Sequence, residues 1–355
     1  MNLKWRLKAP NDESSNVLYA IGDIHGCAHE LGLLISKIAP GASDTVVFLG
    51  DYIDRGPDSK NVIEQILRLS KITNVVTLKG NHEALFLDFL ESPQSVGAGL
   101  FILNGGAATI ASYAGPGGTF EIPQSHIDFL YALKLMHETE HHYFVHAGVP
   151  LKPLSQIDLK NDEQFLLWTR QPFLSSDFKW EKRIVHGHTP VKDVELKVNR
   201  INIDTGCVYD GFLTAIELTT GRLIQIERDR DYAAASKTAS PDVDRVAVRF
   251  AGRLPVYVRN DQQKTLQFET LNYNQFGILM KEASSRMAAD PILVVGEHVT
   301  GVIGANTQTA IQFEGVIARI ETRKEMRLYG VRLERVTNGN DGREWIERAG
   351  VTKRN

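Results

Sequence analysis

The sequence predicts an α/β domain followed by a small all-β barrel. Three observations predict it. Short apolar runs ending in glycine alternate with helix-like stretches in the first ninety residues. The chain turns small, polar and charged around residues 228–244. Mainly strand-like runs separated by turn residues follow. Strands alternating with helices imply βαβ units and a largely buried, partly parallel sheet.

The first strands are 17–22 (VLYAIG), 45–50 (TVVFLG) and 74–80 (NVVTLKG), rich in Val, Ile and Leu. Helix-like stretches follow them at 28–38, 58–70 and 82–91. In the middle one Val62, Ile63, Ile66, Leu67 and Leu69 fall close to an i, i+3, i+4, i+7 stripe. Residues 97–125 are Gly-rich (VGAGL, NGGAA, AGPGG) and read mostly as loop over a helical insert. Strands at 142–147, 183–187, 201–204 and 212–218 lack clear intervening helices, so the sheet is expected to become mixed. The stretch RDRDYAAASKTASPDVD reads as a linker. Runs at 254–259, 265–271, 276–281, 311–320 and 326–335 then predict the barrel. The expected division is 1–227, a linker 228–244, a barrel 245–340 and a tail 341–355.

Composition bounds the function. Of 355 residues 43% are hydrophobic and 23% charged, as in folded globular chains. The 40 Lys+Arg against 43 Asp+Glu give a net charge of −3 and argue against a dedicated nucleic-acid binder. The first 230 residues hold 22 basic against 28 acidic side chains, and the remainder 18 against 15. No run approaches the roughly 18–20 apolar residues of a membrane span, and the N-terminal stretch lacks the apolar core of a secretory signal. Two cysteines make no disulfide framework. Cys27 and Cys207 read as reduced thiols of a cytoplasmic protein, Cys27 as a small buried apolar residue.

Five motifs stand at the ends of predicted strands: Gly22-Asp23-Ile24-His25-Gly26, Gly50-Asp51-Tyr52-Ile53-Asp54-Arg55-Gly56, Gly80-Asn81-His82-Glu83, Val145-His146-Ala147-Gly148 and His186-Gly187-His188-Thr189. In an open α/β sheet, ligands sit beyond the carboxyl ends of strands, so these loops can converge. Asp, His and Asn supply oxygen and nitrogen donors suited to Mn²⁺, Fe or Zn²⁺. One carboxylate can bridge two ions about 3.5–4 Å apart. Any one motif alone is weak. All five in order, each after an apolar strand, are specific.

This series resembles the phosphoprotein phosphatase branch of the calcineurin-like metallophosphoesterases over roughly residues 15–225. Asn202-Ile203-Asp204-Thr205-Gly206-Cys207-Val208-Tyr209 followed by Leu213-Thr214-Ala215 resembles its bacterial and phage-type members, including diadenosine tetraphosphatases. The resemblance implies an α/β fold with a central β-sandwich flanked by helices. By motif position it implies that Asp23, His25 and Asp51 hold one metal, with Asp51 bridging, and that Asn81, His146 and His188 complete the second. His186 then either supports the ligands from behind or is structural, and Asp204 is left unassigned. The implied chemistry is in-line attack on phosphorus by a water activated between two divalent ions. His82 would protonate the leaving group, with Asp54 orienting it and favouring its protonated form. Arg55 and Arg170, the latter in Leu167-Trp168-Thr169-Arg170, would bind phosphate oxygens.

The later half carries a second series. Arg245-Val-Ala-Val-Arg249 precedes Asn272-Tyr273-Asn274-Gln275-Phe276-Gly277. It is similar to PilZ domains, which bind cyclic di-GMP through an R-x-x-x-R segment and a [DN]-x-S-x-x-G turn. The resemblance implies a nucleotide site at Arg245, Arg249, Asn272, Asn274 and Gly277, with Asn274 standing where the family has Ser. Two arginines can bridge phosphates and stack on guanine.

The expected function is hydrolysis of phosphomonoesters, first of all phosphoserine and phosphothreonine in proteins, under cyclic di-GMP control. A dinucleoside polyphosphate substrate is the alternative. A cyclic di-GMP-binding adaptor on a non-catalytic scaffold is the third reading, and the intact donor set weighs against it.

Overall fold

The structure, a computed structural model, describes residues 16–92, 96–114, 120–232, 255–262, 264–274, 277–282, 292–303, 311–323 and 326–338. The chain divides into two compact units, Met1–Glu83 with Ala108–Ser240, and Ala84–Ala107 with Pro241–Asn355.

The first unit is a two-sheet sandwich. Strands β1 (Leu18–Ile21), β2 (Thr45–Phe48) and β3 (Asn74–Thr77) run parallel, with helices α1 (Ala28–Ile38) and α2 (Ser59–Leu69) between them. Asp58 caps α2 by accepting from Asn61 N, and Val62, Ile63, Ile66 and Leu69 form its buried face. Helix α3 (Asn81–Glu91) follows β3. The Gly-rich stretch expected as loop is instead helical over α4 (Val96–Phe101) and a π-turn at Ile102–Gly106, both counted with the second unit, and over α5 (Ala107–Tyr113), whose residues from Ala108 on return to the first. Helix α6 (Gln124–Tyr131) leads to β4 (Met136–Glu138) and β5 (His142–Val145), and α7 (Glu163–Trp168) to β6 (Arg183–His186), β7 (Glu195–Leu196) and β8 (Arg200–Asn202). β9 (Phe212–Glu217) and β10 (Arg222–Glu227) return antiparallel to the first sheet.

The sheet orders are β10-β9-β1-β2-β3 and β4-β5-β6-β8-β7. Ala20, Val47, Leu49, Leu78 and Ile216 on one side meet Phe144, Val185, Ile201 and Ile203 on the other in one buried cluster. Alternate strand residues face this layer and pin the register, because a slip by one residue would expose them. The expected mixed sheet is therefore two mixed sheets, the first antiparallel at its β10 edge and parallel at its β3 edge, the second antiparallel at both edges. Arg228, at the start of the expected linker, is buried and donates to Glu30 of α1 at 2.6 Å. His29 stacks on Tyr232 with ring centroids 4.1 Å apart.

In the second unit, β11 (Pro255–Asn260), β12 (Thr265–Asn274), β13 (Gly277–Glu282), β14 (His298–Ile303), β15 (Ile311–Arg323) and β16 (Met326–Asn338) close an antiparallel barrel in the order β11-β12-β13-β16-β15-β14. Closure leaves no open sheet edge. Val256, Val258, Phe268, Met280, Val302, Phe313, Ile317 and Tyr329 are buried in this unit. Asn272 and Asn274 lie on β12, opposite Leu279 and Gly277 of β13. Arg245 and Arg249 lie outside the described residues. Among the described residues no helix is long and apolar enough to cross a membrane.

Candidate metal centre

The five motifs meet at the carboxyl ends of β1, β2, β3, β5 and β6. Backbone bonds tie the first two loops together: Ile24 N and His25 N donate to Asp51 O at 3.0 and 2.8 Å, and Gly26 N to Tyr52 O at 2.9 Å. His25, Asp51, Asp54, Arg55 and His188 have φ of 46°, 53°, 73°, 67° and 66°. Five non-glycine residues in the left-handed region mark backbone held in place by its surroundings, as functional sites often are. Two glycines seat carboxylates. A Cβ on Gly80 would lie 2.1 Å from Asp51 Oδ1, and one on Gly187 2.1 Å from Asp23 Oδ1.

Asp23, His25, Asp51, Asn81, His146 and His188 are all buried. His146 Nδ1 donates to Leu49 O at 2.9 Å, which leaves Nε2 with its lone pair. That Nε2 lies 3.0 Å from Asn81 Oδ1 and 3.4 Å from Asp51 Oδ1. His188 Nδ1 is 3.0 Å from the same Asn81 oxygen. Asp51, His146 and His188 place donor atoms within 4.8 Å of one another. Acceptors facing acceptors in a buried site are what a cation resolves, so the residues fit a divalent metal. On the other side of Asp51, His25 Nδ1 donates to Ile53 O at 2.9 Å, and its Nε2 is 3.4 Å from Asp51 Oδ2. Asp23 accepts from His188 N at 3.0 and 3.2 Å.

The electrostatics point the same way. Burial pushes the Asp51 carboxyl up to about 7, against the pull of Arg55. Burial raises Asp23 as well, helped by Asp204 and Asp51. Burial and Arg55 hold His25 well below its ordinary value, and burial takes His146 down to about 4. Carboxylates that resist ionisation and imidazoles that resist protonation are both stabilised by a bound cation.

His82, second residue of α3, lies beside this cluster. Its Nδ1 is 2.6 Å from Asp54 Oδ2, and its buried Nε2 has no hydrogen-bond partner and lies 4.0 Å from Asp51 Oδ2. The expectation that Asp54 favours imidazolium meets burial, which with Arg55 holds His82 well below its ordinary value. Burial also raises Asp54. Together these describe a net-neutral pair. Imidazole with carboxylic acid holds as many protons as imidazolium with carboxylate, so a proton at Nε2 is available without net charge.

Arg55 Nη1 donates to His25 Nε2 at 2.6 Å, and its guanidinium sits 5.6 Å from the Tyr209 ring centroid. Arg170 is held somewhat below its usual range by burial, then by Arg55. His186 packs edge-on to Phe173, with centroids 4.9 Å apart, behind the cluster.

Four residues here received no role from the sequence. Glu83 accepts from Gly80 N, Asp51 N and Tyr52 N at 2.9, 2.9 and 2.8 Å and so holds two motif loops at once. Its place beside His82 in the third motif was the available signal. Asp204 is buried within the field of Asp51 and His146, and burial raises it to about 6. Thr109 binds Asp54 from α5, and Tyr209 flanks Arg55. Nothing in the sequence marked Thr109, whereas Tyr209 closes the 202–209 segment that carries the resemblance.

Known proteins resemble this chain over the residues that build the centre. A bis(5'-nucleosyl)-tetraphosphatase, PrpE (asymmetrical), from Anoxybacillus flavithermus is 29% identical, covering 60% of this chain and 95% of that protein. Serine/threonine-protein phosphatase 1 from Salmonella typhimurium is 31% identical, covering 56% and 89%. Among solved structures, a metallophosphoesterase from Sphaerobacter thermophilus is 17% identical, covers 66% of this chain and 99% of its own, and has a TM-score of 0.41. The sequence pattern described as calcineurin-like phosphoesterase matches residues 17–214, a span that contains every residue of the centre. The chain belongs to the calcineurin-like phosphoesterase family.

Proposed function

We infer that the chain is a two-metal phosphomonoesterase acting on phosphoserine and phosphothreonine in proteins. The observation that carries the reading is the His82–Asp54 pair, whose Nε2 is buried and unpaired beside the Asp51 cluster. Asp23, His25 and Asp51 would hold one divalent ion, and Asp51, Asn81, His146 and His188 the other, Mn²⁺ before Fe or Zn²⁺. When bound, such ions supply an activated water nucleophile and offset phosphate charge. The chain's own residues supply the rest. Arg55 and Arg170 take phosphate oxygens in charge-assisted bonds. His82 gives its Nε2 proton to the leaving oxygen as the P–O bond breaks, and regains one from solvent. Asp54 offsets charge on the imidazole.

Charge favours a monoester. Arg170 sits in the field of Arg55 and is partly desolvated. A dianionic terminal phosphate relieves that repulsion more than the singly charged phosphorus of an internal linkage. The 31% identity to a serine/threonine-protein phosphatase supports the protein substrate. The PrpE relative favours the second reading, hydrolysis of dinucleoside polyphosphates. The test is kcat/KM for a phosphothreonine peptide against diadenosine tetraphosphate under excess Mn²⁺. A preference for the dinucleotide reverses the ranking.

The barrel is proposed as a PilZ-like module that binds cyclic di-GMP and regulates hydrolysis. Its support is the closed six-strand barrel carrying Asn272, Asn274 and Gly277 on adjacent strands, with Arg245 and Arg249 preceding it in sequence. Absence of binding heat together with an unchanged hydrolysis rate on adding cyclic di-GMP sinks this part.

A further inference from the structure

Thr109 is separated from Asp54 by 55 positions and lies in the first turn of α5, wholly buried. Its Oγ1 donates to Asp54 Oδ1 at 2.6 Å and accepts from Asp54 N at 2.8 Å. Ser59 Oγ lies 3.0 Å from the same hydroxyl and itself accepts from Asp54 N at 3.1 Å. Since the Thr109 proton goes to the carboxylate, the Ser59 proton is the one directed at Thr109. A hydroxyl relay thus runs Ser59 to Thr109 to Asp54, and the other oxygen of Asp54 holds His82 Nδ1.

We propose that Thr109 is a positioning residue for the proton donor: its hydroxyl fixes the rotation of the Asp54 carboxylate and thereby aims His82 Nε2 at the leaving oxygen. Two features make one hydroxyl sufficient. Asp54 and Arg55 are consecutive non-glycine residues at φ 73° and 67°, a turn that local preference does not hold. Thr109 grips both the N–H and the carboxylate of that turn. With Oδ1 freed, the carboxylate can rotate about its last bond while keeping its link to His82, and the ring follows. Misplacement of about 1 Å costs on the order of a hundredfold in a step that depends on orientation.

The inference rests on reading the centre as a phosphomonoesterase, so the test separates the two. Wild type, Thr109→Val and Thr109→Ser are compared on p-nitrophenyl phosphate, whose leaving group departs without a proton, and on phenyl phosphate, whose leaving group needs one, with excess Mn²⁺. In Thr109→Val, kcat on phenyl phosphate should fall at least about tenfold more than on p-nitrophenyl phosphate, with KM changing less than about twofold. Thr109→Ser should restore it. Equal losses on both esters, or no rescue by Ser, overturn the proposal. Thr109→Ala replaces Thr109→Val in the same comparison if the latter does not fold.

A second readout uses the metal-free protein. The short His82–Asp54 bond should give a downfield imidazole proton that disappears in His82→Ala. It should move in Thr109→Val and return in Thr109→Ser, and an unmoved signal overturns the proposal. If wild type cleaves neither ester, the phosphomonoesterase reading fails, while the proton signal still decides whether Thr109 sets the pair.

Discussion

His82 Nδ1 and Asp54 Oδ2 lie 2.6 Å apart in a fully buried site, and Asp54 is not among the residues that converge on His146 and Asn81. His82 shares a donor cluster with His25 and Asp51, whereas Asp54 belongs to none of the donor clusters found among the described residues, so Asp54 is separable from metal binding. Asp54→Asn keeps the shape but removes the charge that offsets imidazolium. It should lower kcat by about 10²- to 10⁴-fold, the usual span for a lost acid–base contribution. Metal content should stay at the wild-type value. Turnover and elemental analysis on one preparation check this, and metal loss in the variant contradicts the assigned role.

The donor cluster predicts a stability effect independent of turnover. Asp51, His146 and His188 bring donor atoms within 4.8 Å of one another. A ligand at about 100 times its Kd stabilises by about 2.7 kcal/mol per site. For a domain of this size that is a rise in Tm of about 5–10 °C. Mn²⁺ should produce it in the wild type and not in Asp51→Asn, and melting curves with and without metal suffice. An equal rise in both proteins removes Asp51 from the centre.

The motif loops were legible because each ends a strand whose burial needs only local sequence, and their chemistry follows from residue type. The rest depended on distant packing. Gly106 falls in a stretch read as loop, and no strand was expected around Gly301, yet a Cβ at either would lie 2.5 Å from a ring carbon, of Phe101 and Phe313 respectively. Those glycines make room for aromatic rings inside regular structure, which overrides their low propensity. β7 has two residues and β4 three, too few to show a period. Thr109 acts across 55 positions, a relation no local pattern carries.

Glu83 offers a sharper test of how the loops are held. One carboxylate accepts from Gly80, Asp51 and Tyr52 backbone N–H groups, and burial with the nearby Asp51 charge raises it to about 7. Glu83→Gln turns one acceptor arm into a donor facing N–H groups. Losing charged buried bonds of this kind costs about 1.5–3 kcal/mol each. The urea midpoint should fall, and the Mn²⁺ affinity with it, because Asp51 and Asn81 flank the lost anchor. An unchanged midpoint would show that the loops hold themselves.

Acid lability arises outside the centre as well. His142 opens β5, in register with Arg183 of β6. Burial, then the Arg183 charge, pushes its imidazole down to about 4. In the unfolded chain a histidine titrates near about 6.5. Below that value the unfolded chain takes up a proton that the folded one refuses. The stability His142 contributes is therefore whole above about pH 6.5 and lost as pH falls towards about 4. His146 and His186, down to about 4 and about 3 through burial, add in the same direction. Urea midpoints of the metal-free protein should be lower at pH 4.5 than at pH 7.5, and His142→Gln should narrow that gap. A gap of equal size in the variant would mean that His142 is free to protonate in the folded protein, its ring reaching solvent past Arg183.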